Sequence, residues 1–444
     1  MKIIADLHLH SKYSRAVSQK MEPETLGLWA QKKGIDLLGT SDWTHPLWLK
    51  ELESLLKEKE DGVYQLKKDN SKTSFILSTE ISSIYSQGGK TRRIHNVVMA
   101  PSFKTVNKIN KELKSKGCNL MSDGRPIIGL SSIELGELVW SIDEDVLIIP
   151  AHIWTPWFSM FGSKSGFDSV EECFGKFSDK IYGIETGLSS DPAMNWQIKD
   201  LDKRSILSFS DAHSPAKLGR EATVFQSQTK KSFSFNDLTM AIKKDKKSRW
   251  KISYTIEFHP EEGKYHYTGH RNCQVRQSPK ETKKKGTICP VCGKPLTLGV
   301  MHRVEDLAES KEIKVMEKEN QVGLVGYYNQ KDPQRPPYVM LVPLLEVLSE
   351  SLGVGPNSKK VQTEYERLIS VLAPELEILT KTSLDKIKEI AGDRVAEAIE
   401  KMRKSKIVIE PGFDGVFGTV KIWKNEKVIK LNKNLNKQEQ TTLF

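Results

Sequence analysis

The chain has 444 residues, 38% hydrophobic and 28% charged, a composition that suits a globular protein of two or three domains better than one core. Its net charge of +11 and pI near 9.1 favour an anionic partner such as nucleic acid. No apolar run approaches the ~20 residues of a membrane span. Three of the five cysteines cluster with metal-site spacing, against a disulfide framework. The start, Met1 to Asp6, is charged too soon for a secretion signal, so a cytoplasmic location without membrane contact is expected.

Ile3, Ile4 and Ala5 predict a short buried strand that delivers Asp6-Leu7-His8-Leu9-His10. Alternation along a strand would point Asp6, His8 and His10 the same way, and two imidazoles at that spacing can hold one divalent metal. A helix is predicted over 22–33, stopped by Gly34. A strand over 35–39 then runs into Thr40-Ser41-Asp42-Trp43-Thr44-His45, followed by a long charged helix over 47–59. Phe75-Ile76-Leu77 leads to Glu80, and a strand over 94–99 carries His95. The runs 146–151, 181–184 and 206–209 deliver His152, Glu185, and Asp211 with His213. Strands alternating with helical segments predict a parallel α/β architecture.

Any one of these polar residues reads as a capping carboxylate or a hydrogen-bonded core histidine. Six strand ends together are hard to explain by packing, and β/α barrels build their sites at such ends. Six of the ten histidines lie in this half. A mixed nitrogen and oxygen donor set suits Zn, Mn or Fe rather than Ca. Trp43, Trp48, Trp154, Trp157 and Phe158 share the same loops, either as a roof over the barrel or as stacking walls for an extruded base.

His270-Arg271-Asn272-Cys273, fifteen residues, then Cys289-Pro290-Val291-Cys292 has the spacing of a closed structural zinc site with three cysteines and one histidine. His266 competes with His270 for the fourth position. Lys280, Lys283, Lys284 and Lys285 lie between the knuckles, on a solvated loop or one that meets phosphates. Cys118 and Cys173 read as ordinary thiols.

Helical pieces are predicted over 338–352, 361–372, 376–379, 384–390 and 395–403. The turn at Gly392 and Arg394 reads as an ordinary helical turn or as a hairpin that grips DNA backbone. Residues 411–418 form a glycine-rich turn feeding a hairpin strand. From Leu431 the chain is polar and expected to be disordered. It ends with Gln440, Leu443 and Phe444 in the Gln-x-x-Leu-Phe pattern of peptides that dock on DNA sliding clamps. The expected domains are 1–250 (catalytic barrel), 251–303 (zinc-binding insert), 304–430 (mainly helical, DNA-binding) and 431–444 (tail).

Asp6-Leu7-His8-Leu9-His10-Ser11, Ser41-Asp42, Glu80, His95, Ala151-His152 and Ser210-Asp211-Ala212-His213 resemble, in order, the motifs of the polymerase-and-histidinol-phosphatase (PHP) superfamily. That resemblance implies a distorted seven-stranded β/α barrel that hydrolyses phosphoesters with two or three divalent metals. His8, His10, Glu80 and Asp211 would form the catalytic set and hold one metal. Glu80 would bridge to a second held by His95 and His152, and Asp42, His45 and His213 would serve a third. The chain has Ser14-Arg15 where members carry a further ligand, and Asp42-Trp43 where they read Asp-His; His45 is the nearest substitute.

Together with Trp43-Thr44-His45-Pro46, both knuckles, Arg303 to Ala308 and Arg335-Pro336-Pro337-Tyr338, nearly the whole chain resembles the endonuclease Q family. This implies a monomeric repair nuclease that nicks DNA 5′ to uracil, hypoxanthine, xanthine and abasic sites. A phosphoesterase acting on a small metabolite would leave the knuckles, the charge and the last third without a role. A non-catalytic nucleic-acid-binding protein would leave the ligand set without one.

Overall fold

The computed structural model describes residues 1–68, 73–229, 232–309 and 313–424. In chain order the strands of the first half are β1 (Lys2–Asp6), β2 (Leu37–Gly39), β3 (Leu56–Glu60), β4 (Val63–Leu66), β5 (Ser74–Gln87), β6 (Lys90–Ala100), β7 (Ile127–Ile128), β8 (Leu147–Pro150), β9 (Gly183–Glu185), β10 (Ser205–Leu207) and β11 (Ala222–Ser227). The second half adds β12 (Trp250–Glu257), β13 (Thr268–His270), β14 (Val275–Gln277), β15 (Val315–Glu319), β16 (Val325–Asn329), β17 (Tyr338–Met340), β18 (Val408–Glu410) and β19 (Thr419–Lys421).

β1, β2 and β5 run parallel, but β5 and β6 form a long antiparallel hairpin, and β8 pairs antiparallel with β6. Among the described residues the strands of the expected distorted seven-stranded barrel pair as a branched sheet, with β9 and β10 as a separate parallel pair; the region from β1 to β12 is called the barrel for its place in the chain and not for a closed ladder. These two strands have three residues each. Bonds at or just beyond their ends help join them to the rest: Ile153 N–H donates to Glu185 O at 3.2 Å, and His10 N–H donates to Ala212 O, in the loop after β10, at 3.1 Å. One apolar cluster includes Ala5, Leu7, Ile76, Val97, Ile149, Ala151 and Leu207, drawn from successive strands and adjoining His8, His95 and His152 in sequence. Burying it sets the register of the strands and so fixes where the ligand-bearing loops emerge.

The helix Pro23–Lys33 ends as expected, with Gly34 in the left-handed region at φ 81°. The charged helix is shorter, Pro46–Leu55. Leu56–Glu60 forms β3, which ends the sheet path, where alternating charges deter further pairing. Tyr338–Met340 is likewise a strand, parallel to β12, and the helix begins only after Pro343, at Leu344–Leu352. Proline holds the preceding residue extended, which delays the helix start.

Strands β15, β16 and β17 extend the main sheet through β12, so residues 315–340 belong with the barrel rather than with a separate helical unit. The helices Leu344–Leu352, Lys359–Val371, Glu375–Thr380, Leu384–Ala391 and Asp393–Arg403 follow. A buried ion pair, Lys33 Nζ to Glu375 Oε2 at 2.7 Å, fastens them to the barrel. No helix among the described residues is long and apolar enough to cross a membrane. The predicted tail, with Gln440, Leu443 and Phe444, lies outside the described residues.

Candidate metal centre

Two ligand groups form in the barrel, His8 with His10 and Asp211, and Glu80 with His95 and His152. In each, the candidate donor atoms lie within 4.8 Å of one another. Glu80 and His95 sit inside β5 and β6, not at strand ends. In the antiparallel register Glu80 opposes Val97 and Ser82 opposes His95, so the two ligands are diagonal neighbours on one face, with His95 Nδ1 2.7 Å from Glu80 Oε1. His152 Nε2 approaches the same oxygen at 3.1 Å. Glu80 also faces the first group, its Oε1 3.7 Å from His8 Nε2 and its Oε2 3.4 Å from His10 Nε2. Glu80 thus stands between the two groups. His10 Nε2 lies 3.0 Å from Asp211 Oδ1.

Asp6 does not share this direction. Its carboxylate accepts from Ser210 N–H and Gly219 N–H, both at 2.9 Å, and ties β1 to the Asp211 loop. Glu185 was not singled out as a ligand and works behind one: His8 Nδ1–H donates to it at 2.9 Å, turning Nε2 toward the centre. The other Glu185 oxygen accepts from His152 N–H at 2.9 Å. Arg125 was invisible in the sequence because its partner is distant; its Nη1–H donates to Glu80 Oε2 at 3.1 Å.

Among the described residues Asp42, His45 and His213, expected at a third site, do not come together as one ligand group. Asp42 Oδ2 accepts from Ser11 N–H, Ser11 Oγ–H and Ser14 Oγ–H at 2.7, 2.6 and 2.7 Å, while Oδ1 stands 3.4 Å from His10 Nδ1. Asp42 therefore orients His10 from behind, as Glu185 orients His8. His45 stacks on Tyr13 at 4.4 Å, and burial lowers its pKa. His213 lies beside the His10 ring at 4.7 Å and close to Asp211, on the open side.

The electrostatics suit a cation. Burial opposes protonation of His8, yet the Glu185 and Glu80 carboxylates hold its pKa well above the imidazole range. His10 is pushed up to about 9, against burial, by Asp211 and Asp42. Burial would raise Glu80 and Asp211, but both lie well below the carboxylate range. His95, Arg125 and His8 stabilise the Glu80 charge, and His213, His10 and His8 that of Asp211. Buried His8 Nε2, His10 Nε2 and Asp211 Oδ1 make no hydrogen bond among the described residues. Such orphaned donors and acceptors are costly unless a ligand satisfies them, so the residues fit a divalent metal. Ser41, Asp42, His152 and Asp211 all take positive φ, at 56°, 40°, 30° and 47°. Each such residue costs about 1–3 kcal/mol, and strain of this kind gathers at functional loops.

The residues 343–406 match the MJ0043 C-terminal domain family. The uncharacterized protein MJ0043 of Methanocaldococcus jannaschii is 35% identical over 279 residues, 62% of this chain and 32% of that protein, so the chain spans about a third of that relative's length. The crystal structure of the lesion-specific endonuclease PfuEndoQ from Pyrococcus furiosus is similar at TM-score 0.80 and 31% identity, covering 97% of this chain and 99% of that one. A structure of endonuclease Q in complex with a 27-mer duplex carrying an abasic lesion at the active site reaches TM-score 0.79 and 32% identity, over 97% of this chain and 100% of that one. The chain belongs to the endonuclease Q family.

The remaining residues expected from the sequence divide sharply. His270, Cys273, Cys289 and Cys292 form one metal-capable group, with Cys292 Sγ 3.4 Å from His270 Nδ1. His266 is outside it, buried and stacked on Tyr267. Trp43, Trp48 and Trp154 are fully buried, so they are not stacking walls. Trp48 Nε1–H donates to Ser41 O at 2.9 Å and Trp154 Nε1–H to Asn195 Oδ1 at 2.8 Å, which makes both supports of the ligand loops. Trp157 and Phe158 stay partly exposed, Phe158 against His95 at 4.9 Å and Trp157 against Tyr265 at 5.4 Å.

Lys280, Lys283, Lys284 and Lys285 lie on a helix, Pro279–Lys285, rather than a loop, because Ser278 and Glu281 form a capping box. Lys283 pairs with Glu305 at 2.5 Å and Lys285 with Glu281 at 3.0 Å. Lys280 and Lys284 remain exposed. Gly392, at φ 83°, joins the helices Leu384–Ala391 and Asp393–Arg403, and Arg394 stacks on Trp423 at 3.6 Å. The insert grips the barrel through Arg303. Its Nε–H donates to Phe161 O and Nη2–H to Phe167 O, both at 3.0 Å, and it pairs with Asp168, on the stretch following His152.

Proposed function

We propose that this protein is a metal-dependent DNA repair endonuclease that hydrolyses the phosphodiester 5′ to deaminated bases (uracil, hypoxanthine, xanthine) and abasic sites. The observation that carries this is Glu80 standing between two imidazole-rich ligand groups whose orphaned polar atoms face one another. His8, His10 and Asp211 would hold one divalent metal (Zn, Mn or Fe), and His95 and His152 a second, with Glu80 shared. Bound there, such metals supply Lewis-acid polarisation of phosphoryl oxygens and acidify water at neutral pH. Glu185 and Asp42 hold His8 and His10 in the orientation that presents Nε2. Asp211 and His213, 27% and 38% exposed, form the side from which a phosphate can enter.

Support for DNA as substrate comes from the endonuclease Q neighbour bound to an abasic duplex, from the basic charge, and from the exposed lysines of the insert. Trp157 and Phe158, beside His95, would stack on the extruded base or its neighbours. Lys280, Lys284, Gly392 and Arg394 would meet backbone phosphates, and one structural zinc would stiffen the insert. The tail residues Gln440, Leu443 and Phe444 would tether the enzyme, a cytoplasmic monomer, to a sliding clamp.

The test is incubation with end-labelled duplexes carrying one uracil, hypoxanthine or abasic site, with the product ends mapped. Nicking 5′ to the lesion is expected. Intact lesion duplexes under every divalent metal tried would overturn the reading. Clamp binding is checked by titrating the cognate clamp with the intact chain and with a chain ending at Glu439, where only the intact chain should bind.

A further inference from the structure

We propose that Arg125 binds the scissile phosphate directly, as a catalytic residue beside the metals; this rests on the phosphodiester reading above. Arg125 reaches the ligand cluster from outside the barrel strands, on the segment between the helix Phe103–Ser115 and β7. One arm of its guanidinium meets Glu80 Oε2 at 3.1 Å. Its Nε and Nη2 have no acceptor among the described residues, and the side chain is 28% exposed; the Glu80 oxygen it meets also lies 3.4 Å from His10 Nε2, which stands 3.0 Å from Asp211 Oδ1. A planar fork fixed at one end and unpaired at the other is complementary to a non-bridging phosphate oxygen.

The segment that carries Arg125 is clamped on every side. Gly124 N–H donates to Tyr13 O at 3.0 Å, Thr44 Oγ–H donates to Gly124 O at 3.1 Å, and Ser82 N–H donates to Pro126 O at 3.0 Å. Only glycine fits at 124, because a Cβ there would lie 2.3 Å from Asp42 Oδ2 and 2.5 Å from Ser14 Oγ. Asp42 is the group that orients His10. The same packing that sets a metal ligand therefore sets the guanidinium, so Arg125 is placed before substrate arrives. Donors fixed in advance where charge develops need no reorganisation during reaction. Glu80 and Asp211 keep the guanidinium charged, against its burial.

A residue that merely neutralised Glu80 would also be paired with it, and the experiment separates the two roles. Single-turnover nicking of an abasic duplex gives the half-saturating protein concentration and the maximal rate for wild type, Arg125→Ala and Arg125→Lys. A matched duplex with an uncharged methylphosphonate at the cleavage position, which competes without being cut, gives a second affinity. Metal content is measured on each protein. Direct contact predicts that Arg125→Ala weakens binding of the charged duplex about tenfold or more, the worth of a hydrogen bond to a charged group. The methylphosphonate duplex should be bound within about twofold of wild type by the same criterion. Metal content should be unchanged, and Arg125→Lys should recover part of the loss. Equal weakening of both duplexes, or loss of a metal, would make Arg125 a positioning residue for Glu80 and overturn the proposal. If Arg125→Ala does not fold, the same comparison on Arg125→Lys decides. Should wild type itself leave the abasic duplex intact, the phosphodiester reading falls instead, and the control shows which has failed.

Discussion

The two candidate metal regions of this molecule are built in opposite ways. The knuckle takes four ligands from residues 270–292, on a short hairpin and a tight turn, and leaves Cys292 exposed. The barrel centre draws its ligands from positions between 8 and 211, and its imidazoles and Glu80 are almost wholly buried. Local spacing brings the first together, an arrangement in which metal binding and folding of the segment are expected to be one event. The second rests on the apolar cluster beneath it and on groups such as Glu185 and Asp42, which lie behind the ligands His8 and His10. The knuckle is therefore expected to need its metal to have a shape, and the barrel centre is not.

The sharpest way to break this contrast is to remove a barrel ligand. Asp211→Asn and His8→Ala should abolish nicking, read in single-turnover assays, while thermal unfolding shows an intact fold and phosphate contacts elsewhere preserve most DNA affinity. Unfolding of either variant would show that the centre depends on metal for its shape after all. Next comes the knuckle, where Cys289→Ser should release one zinc per chain and lower the unfolding temperature, with nicking reduced rather than abolished. Unchanged zinc content would sink the assignment.

Glu185→Gln probes the scaffold behind the ligands. Losing the charge that orients His8 should weaken catalytic metal affinity or activity about 10–100-fold, measured by metal titration. The aromatic residues give the smallest functional effect. Trp157→Ala or Phe158→Ala should slow cleavage at uracil more than at an abasic site, by the ~1–3 kcal/mol of one stacked base. Trp154→Ala should instead cost about 3–5 kcal/mol of stability and affect both substrates alike, because its ring is buried in packing. Equal losses at both lesions for Trp157 would assign it to packing as well.

These differences explain what was legible in the amino-acid order. The knuckle could be read whole, because its chemistry lies in short-range spacing; only the competition between His266 and His270 needed three dimensions. Each barrel ligand could be suspected from an apolar run handing over to His, Asp or Glu, but not its neighbours. Nothing in the order of Ser11 or Ser14 shows that they occupy one oxygen of Asp42. Glu185 was seen at a strand end but not its place behind His8, and Arg125 escaped altogether, since their partners are far away in sequence. A tryptophan beside a ligand looks the same whether it faces substrate or core, so only the structure shows that Trp43, Trp48 and Trp154 are packed inside while Trp157 and Phe158 stay partly exposed. In Leu56–Glu60, alternating charges that resemble a helix face belong to an edge strand, because sheet pairing outweighs local propensity.

Arg303 carries a consequence for the order of synthesis. It lies beyond both knuckles, yet its guanidinium fastens Phe161, Phe167 and Asp168, on the stretch that follows His152 and carries Trp157 and Phe158. A chain emerging from the ribosome therefore possesses every barrel ligand long before it possesses this clasp. The stretch after His152 is fastened at these three points only when the insert has been made and folded back. Arg303→Ala in the full chain should reproduce the unclasped state, with slower nicking, faster proteolysis within residues 153–168 and an unchanged content of knuckle zinc.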